Sequence, residues 1–136
     1  MKNNQIKLAC VAFIFTAGLA NAGTPCDGFE IKIKNNLSDN LRVIKVQLVG
    51  ADIQPGNISK IEKKSEVAFI VNNSESHMYG QIDFQTISLP SKEFKIRFDL
   101  RNALMRCDHD DKTGHESNGI PIDNSRSVGK VTYTIG

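Results

Sequence analysis

The clearest structural signal in the sequence is the stretch Glu93-Phe-Lys-Ile-Arg-Phe-Asp-Leu100, in which charged and hydrophobic residues alternate at every position. Successive side chains of a β-strand point to opposite faces, so this alternation gives the strand one hydrophobic and one charged face. A helix would scatter the two classes around its axis. We therefore predict a half-buried strand whose core-facing residues are Phe94, Ile96, Phe98 and Leu100.

Related patterns recur through the chain. Residues 29–34 and 130–135 alternate in the same way, whereas Leu41–Val49 is hydrophobic on both faces, as in a covered central strand. Gly80 is predicted to form a β-bulge within another strand. The remaining strands are predicted at 58–62, 66–71 and 79–87. Short strands separated by turns rich in Asn, Ser, Gly and Pro predict an all-β fold, a single-domain antiparallel β-sandwich.

One long segment lacks this alternation. Residues 108–127 are rich in Asp, Asn, Ser and Gly, and they predict a polar loop of about 20 residues, a length that is usually functional or disordered. A helical turn is expected only within 100–105.

The first 22 residues have the three parts of a secretory signal peptide. A short basic region with Lys2 and Lys7 precedes an apolar run over 8–19, and Ala20-Asn21-Ala22 resembles a cleavage site. An uncleaved membrane anchor is the alternative, but a bilayer span needs about 20 apolar residues. We predict a signal peptide at 1–22, a β-sandwich domain at 23–136, and a secreted or periplasmic location without a transmembrane segment after cleavage.

Cleavage after residue 22 would leave two cysteines, Cys26 and Cys107. Two cysteines in an exported chain predict one disulfide, with two free buried thiols as the alternative. A bridge that closes a loop of about 80 residues stabilises a domain by about 4–5 kcal/mol in the chain-entropy model.

Charge and composition exclude one class of partner. The chain of 136 residues carries 17 basic and 15 acidic side chains, for a net charge of +2, and it has no Trp. A nucleic-acid-binding domain would need a basic surface or aromatic side chains on which bases stack. We expect no nucleic-acid partner.

The densest group of ionisable residues lies within 107–116. Carboxylates are the ligands that hard divalent cations prefer, and a weak cation site is predicted at Asp108, Asp110, Asp111 and Glu116. A softer metal could use His109 and His115. The alternative is a solvated polar loop, since the spacing does not match an EF-hand. No other cofactor is expected.

Basic side chains share the charged faces of two predicted strands. Lys32 and Lys34 lie on one face of the first strand, and Lys95 and Arg97 lie on one face of the strand at 93–100. Together they could bind anionic lipid headgroups or glycans. The alternative is that they protect edge strands from aggregation.

Three segments resemble the aegerolysin-type β-sandwiches, a family of small lipid-binding proteins. They are 29–43, Tyr79-Gly-Gln-Ile-Asp-Phe84, and Gly129-Lys-Val-Thr-Tyr-Thr-Ile135. The resemblance implies a β-sandwich and peripheral contact with a membrane. The chain departs from that family in having a signal peptide and no Trp, so no lipid-binding residue is transferred to it.

No catalytic motif is present: none of the serines lies in a GxSxG sequence, and no carboxylate pair stands out. We therefore predict an exported, non-enzymatic binding protein with a protein, glycan or lipid ligand. The composition also resembles small exported Gram-negative proteins, some of which are secretion-system substrates and virulence factors that act on a host. The alternatives are a lipid- or membrane-surface-binding module and a small secreted hydrolase.

Overall fold

The computed structural model describes residues 24–136, and the predicted signal peptide at 1–22 lies outside them. The described chain forms ten β-strands and one short 3-10 helix. The strands are β1 (Glu30–Asn35), β2 (Leu41–Val49), β3 (Asp52–Gln54), β4 (Lys60–Ile61), β5 (Ser65–Asn72), β6 (His77–Thr86), β7 (Glu93–Asn102), β8 (Cys107–Asp111), β9 (Ile122–Ser127) and β10 (Lys130–Ile135). The 3-10 helix, η1, spans Gly114–Ser117.

The strands form two five-stranded sheets, which confirms the predicted antiparallel β-sandwich. The first sheet has the order β3-β5-β1-β10-β9, and the second has the order β4-β2-β6-β7-β8. All neighbours are antiparallel except β1 and β10, which run parallel and bring the start and the end of the domain together. Strands β8 and β9 are edges of different sheets, and we call the opening between them the seam.

The inward faces of the two sheets form one hydrophobic cluster. The predicted alternation at 93–100 is confirmed, because its four hydrophobic residues are buried and its charged residues face outward. Phe84 and Phe94 stack in the core with ring centroids 5.1 Å apart. The predicted disulfide is also confirmed, since Cys26 and Cys107 are bonded across a sequence separation of 81.

The prediction that β2 is covered on both faces is wrong. A β-bulge between Val43 and Lys45 shifts its register against β6, so the inward positions change from odd to even numbers. Val43 is buried before the bulge, Val46 and Leu48 are partly buried after it, and Ile44 is 48% exposed. The apolar run therefore reflects a change of face within a half-buried strand.

The bulge predicted at Gly80 is also wrong, because Gly80 keeps regular register opposite Phe98. A Cβ atom at this position would overlap the Phe98 ring. Glycine is present here because the aromatic ring occupies the space that a side chain would fill.

The loop predicted at 108–127 contains two strands and η1. Neither β8 nor β9 shows the hydrophobic alternation of an ordinary half-buried strand, because both are edges at the seam. The helical turn expected within 100–105 is wrong as well, since η1 is the only helical segment in residues 24–136 and lies further along the chain. No helix in the described residues is long and apolar enough to cross a membrane.

Candidate functional site

The loops at one end of the sandwich are tied together by the disulfide and by Asn102. The Asn102 side chain accepts a hydrogen bond from the backbone N–H of Cys26 at 2.6 Å. Its amide nitrogen donates to the Ser74 hydroxyl at 2.9 Å and to the Glu75 carbonyl at 2.6 Å. Cys26 is also bonded to Cys107. The segment before β1, the turn between β5 and β6 and the turn between β7 and β8 are therefore joined at this end, which we call the disulfide end.

Asp27 adds a further tie between these loops. Its Oδ1 accepts hydrogen bonds from the backbone N–H and the hydroxyl of Ser74, at 2.8 Å and 2.7 Å. The Ser74 bonds favour the ionised carboxylate and hold the pKa of Asp27 below its usual value. These hydrogen bonds fix the loops of the disulfide end relative to one another.

Two hairpin turns at this end carry exposed hydrophobic side chains. Leu104 and Met105 lie in the turn between β7 and β8 and are 92% and 86% exposed. Val128 lies in the turn between β9 and β10 and is fully exposed. Met105 and Val128 line one shallow groove of about 520 Å³, although they belong to hairpins of different sheets. The groove is also lined by Pro25, Arg106, Cys107, Arg126, Ser127 and Gly129.

Three cationic side chains adjoin these turns. Arg106 forms an ion pair with Asp108, with Nε 2.6 Å from Oδ1. Arg126 donates a hydrogen bond from a terminal guanidinium nitrogen to the His109 carbonyl at 2.8 Å. Lys130 begins the last strand and forms no ion pair within residues 24–136. We define the tip surface as the six residues Leu104, Met105, Val128, Arg106, Arg126 and Lys130.

A buried polar network lies behind the seam. His109 is 6% exposed, and its Nε2 lies 2.8 Å from the Tyr133 hydroxyl. The Tyr133 hydroxyl donates to Asp111 Oδ1 at 3.1 Å, and the Thr113 hydroxyl donates to the same oxygen at 2.7 Å. Because the single Tyr133 proton goes to Asp111, His109 Nε2 donates its own proton to Tyr133.

Burial sets the charge state of this network. Desolvation, with a further contribution from the positive charge of Arg126, lowers the pKa of His109 to about 4. Burial, together with the neighbouring Asp111 carboxylate, raises the pKa of Tyr133. His109 is therefore neutral at pH 7, and its buried Nδ1 has no hydrogen-bond partner in the structure.

The four basic residues predicted to form a binding surface are not brought together. Lys32 and Lys34 lie on the outer face of the first sheet, whereas Lys95 and Arg97 lie on the outer face of the second. Lys32 is 3.4 Å from the Glu66 carboxylate, and Arg97 is 3.6 Å from that of Glu116. The edge-protection alternative is wrong, because β1 and β7 each lie between two other strands.

The four carboxylates of the predicted cation site are also separated. Asp108 and Asp110 point outward from β8, whereas Asp111 accepts hydrogen bonds from Thr113 and Tyr133. Asp110 pairs with Lys112 at 2.9 Å. Within residues 24–136, no three His, Cys, Asp or Glu side chains lie close enough to hold a metal ion. The cation site stays a prediction, without a preformed ligand set in the described chain.

A cleft on the second sheet joins two residues that were predicted to belong to different sites. Lys95 and Glu116 both line this cleft of about 360 Å³, which also contains His115. Two further carboxylates, Asp83 and Glu93, complete its acidic wall.

The hydrolase alternative would need a serine hydroxyl next to a histidine. No serine hydroxyl of the described chain lies within hydrogen-bond distance of His109, so no Ser-His pair is formed there.

The sequence interpretation missed the tip surface and the His109 network. The apolar pair Leu104-Met105 and the lone Val128 stand out among polar turn residues, so that part of the signal was present. Their proximity depends on the pairing of two sheets. A scan against protein-family models finds no match for this chain, and no curated protein matches it.

Proposed function

We propose that this domain is a non-enzymatic binding protein that works outside the cytoplasm and attaches to acidic membrane surfaces through the tip surface. The observation that carries the proposal is the exposure of Leu104, Met105 and Val128 on two adjacent hairpins. Hydrophobic side chains at turn tips, flanked by cations, are suited to the boundary between lipid headgroups and acyl chains.

The energetics are sufficient for reversible attachment. Burial of a Leu, Met or Val side chain in an apolar phase contributes about 1.5–3 kcal/mol, and three such residues would contribute several kcal/mol. Each cation near an anionic leaflet adds about 1 kcal/mol. Arg106, Arg126 and Lys130 supply these charges, although the Arg106 contribution is reduced by its ion pair with Asp108.

The size of the surface favours a lipid over a protein partner. A stable protein interface buries about 800 Å² on each side, with a well-packed centre. The tip surface presents three hydrophobic side chains on two narrow turns. Its loops are already held by the disulfide and Asn102, so insertion needs little further ordering of the chain.

A location outside the cytoplasm is supported by two features. Disulfides persist in oxidising compartments, and the Cys26–Cys107 bridge closes most of this domain. The predicted signal peptide at 1–22 agrees with export. A secreted effector that acts on a host membrane and a periplasmic protein that acts on the envelope are two forms of the same proposal.

Co-sedimentation with lipid vesicles tests the proposal. Oxidised protein spanning 23–136 would be mixed with vesicles of phosphatidylcholine alone or with added phosphatidylserine, at low and high salt. We expect binding to the anionic vesicles, weaker binding at high salt because the charges are screened, and little binding to neutral vesicles. Equal binding to both vesicle types, or to neither, would contradict the proposal.

The triple variant L104S/M105S/V128S separates insertion from simple charge attraction. It retains all three cations, and we expect it to lose at least about tenfold in vesicle affinity, because several kcal/mol of apolar burial are removed. Undiminished binding of this variant would show that the hydrophobic tips do not contact the lipid.

A further inference from the structure

The outer face of the second sheet carries an exposed aromatic ring at its centre. Among residues 24–136, Tyr79 is the only Phe or Tyr side chain that is not buried, and it is 52% exposed. It points outward from β6, the middle strand of the five. A single exposed ring is no site by itself, so its surroundings decide what it can bind.

A shallow cleft of about 280 Å³, the Tyr79 cleft, adjoins the ring. Its lining residues are Tyr79, Gly80, Arg97, Phe98, Asp99 and Lys112. The Tyr79 ring leans on the His77 ring, with centroids 4.4 Å apart and the hydroxyl 3.3 Å from Nδ1. Because His77 and Arg97 lie on opposite sides of Tyr79 in the strand register, one side of the ring is supported and the other adjoins the cleft.

The Tyr79 cleft continues into the larger cleft of about 360 Å³ on the same sheet. Arg97 lines the first cleft and Glu116 the second, and their ion pair at 3.6 Å lies at the boundary. The segment 112–118 forms a wall and is fastened to β7, because the Lys112 N–H and the Asn118 amide donate to carbonyls of that strand. The two clefts therefore form one groove, which we call the outer groove.

We propose that the outer groove binds a neutral oligosaccharide, with one pyranose ring packed on Tyr79 and its hydroxyls hydrogen-bonded in the Tyr79 cleft. The proposal goes beyond membrane attachment and does not depend on it, because the outer groove and the tip surface share no residue. It rests on the exposed ring, on the polar side chains around it, and on the balance of charge along the groove.

A sugar ring matches both parts of the Tyr79 cleft. One face of a pyranose presents C–H bonds, which pack against an aromatic ring because the face of that ring carries partial negative charge. Its edge carries hydroxyls, which both donate and accept hydrogen bonds. Asp99 only accepts, whereas Arg97 and Lys112 only donate, so neighbouring hydroxyls of one sugar can pair with both kinds of group.

Charge balance favours a neutral ligand. The outer groove contains three cationic and four anionic side chains, namely Lys95, Arg97 and Lys112, and Asp83, Glu93, Asp99 and Glu116. The two cations of the Tyr79 cleft are paired, Arg97 with Glu116 and Lys112 with Asp110 at 2.9 Å. An anionic ligand would have to compete with these carboxylates. The same pairs hold the donors in place, which reduces the cost of ordering them around a ligand.

The backbone of this face is not available to an extended peptide. Strands β6 and β7 each lie between two other strands, so their N–H and C=O groups pair within the sheet. Peptides that extend a sheet add to an unpaired edge. Recognition at the outer groove therefore depends on side chains, which suits a ligand rich in hydroxyl groups.

Nuclear magnetic resonance of oxidised, isotope-labelled protein spanning 23–136 tests the site without any membrane. The probes are cellotriose, chitotriose, mannotriose and lactose. We expect saturable binding of at least one probe in the millimolar range, because a shallow groove leaves much of the sugar in water. The shifted amide signals should come from residues 79–83, 95–99 and 112–118. Absence of saturable binding to all four probes, or shifts confined to another surface, would overturn the proposal.

Matched variants test the packing of the sugar on Tyr79. Y79A removes the ring, Y79F removes only its hydroxyl, and L89A removes an exposed side chain at the other end of the sandwich. We expect Y79A to lose at least about tenfold in affinity for the bound probe, and Y79F and L89A to retain it. Equal affinity of Y79A and the unchanged protein would contradict the site. If Y79A does not fold, the map of shifted signals in the unchanged protein still decides.

Two further controls separate this site from a charged ligand and from the tip surface. Sialyllactose carries one carboxylate, and its binding in preference to every neutral probe would overturn a neutral ligand. The variant L104S/M105S/V128S should bind the sugar as the unchanged protein does, and Y79A should bind anionic vesicles normally. Loss of sugar binding in L104S/M105S/V128S would place the sugar at the tip surface and contradict the outer groove.

Discussion

At each end of the sandwich a single asparagine side chain holds the loops by hydrogen bonds, but the two ends differ in their other ties. At the disulfide end, Asn102 contacts Cys26, Ser74 and Glu75. At the opposite end, the fully buried Asn35 donates to the carbonyls of residues 39, 61 and 62 and accepts from the N–H of residue 37. Only the first end adds a covalent bond.

Exposed hydrophobic residues occur at both ends, so exposure alone does not distinguish them. Leu89, in the turn between β6 and β7 at the opposite end, is 89% exposed, almost as much as Leu104 at 92%. Its turn is closed by hydrogen bonds between Thr86 and Lys92. At the disulfide end the hydrophobic tips lie on two adjoining hairpins, and Arg106 and Arg126 line the groove between them. Cations do not distinguish the ends either, because Lys92 is exposed in the same turn as Leu89. The proposed surface differs from that turn in joining hairpins of both sheets and in the covalent tie behind them.

Removal of the disulfide should have the largest effect on the free energy of unfolding, and it should in addition loosen the loops at one end. C26S/C107S is expected to lose about 4–5 kcal/mol of unfolding free energy, because the bridge restricts a long loop of the unfolded chain. Chemical denaturation measures the loss. Hydrogen exchange should show faster opening of the loops around 24–28 than of those around 36–40, and uniform opening would contradict a distinct disulfide end.

The second largest loss of stability is expected on acidification, which protonates His109 at the seam. The pKa of His109 is about 4 in the folded protein against an ordinary value of 6.5, so between these values the unfolded chain binds more protons. Stability should therefore be fully present above pH 6.5 and fall by about 3 kcal/mol as the pH drops to 4.

The variant H109Q isolates the His109 contribution from the carboxylates that titrate at lower pH. Its stability should decrease less steeply between pH 6.5 and 4 than that of the unchanged protein, as measured by urea denaturation at each pH. Parallel pH profiles would show that His109 is protonated in the folded state as readily as in the unfolded chain.

Alanine variants of Asn35 and Asn102 compare the side-chain hydrogen bonds at the two ends directly. N35A should cost about 2 kcal/mol, because it leaves buried carbonyls without donors, and N102A should cost about 1 kcal/mol, because its site is partly exposed. Urea denaturation of both variants measures the difference. A larger loss for N102A would mean that the hydrogen bonds at the disulfide end carry more of the stability than burial indicates.

Much of this architecture could be predicted from the sequence. The strand at 93–100 is half-buried along its whole length, so its alternation was complete. The predicted cleavage after residue 22 leaves two cysteines, which allow one pairing. The bulge in β2 could not be predicted, because an extra residue such as Ile44 leaves no mark in composition. Strands β8 and β9 were missed because their inward positions at the seam include the polar residues His109, Asn124 and Arg126.

The candidate site was predictable only in parts. The turn residues Leu104, Met105 and Val128 are visible in the sequence as hydrophobic side chains in polar surroundings. Their proximity arises because β7 and β8 belong to one sheet and β9 and β10 to the other, a pairing that local patterns do not encode. The contact between His109 and Tyr133 likewise joins residues of the two sheets across the core.

The smallest stability effects are expected at the tips themselves. L104S/M105S at the disulfide end and I87S/L89S at the opposite end each replace two exposed side chains, so each should change the unfolding free energy by under about 0.5 kcal/mol. Thermal and urea denaturation check this. A large loss in either variant would mean that these side chains pack against the domain.

Vesicle binding of these two variants is the most direct test of the central claim, which is that only the disulfide end carries the membrane-binding surface. Both variants lose two exposed hydrophobic residues, retain every charge and should fold equally well. With vesicles that contain phosphatidylserine, we expect L104S/M105S to lose at least about tenfold in affinity and I87S/L89S to bind as the unchanged protein does. Equal losses in both, or a loss in I87S/L89S alone, would contradict the account.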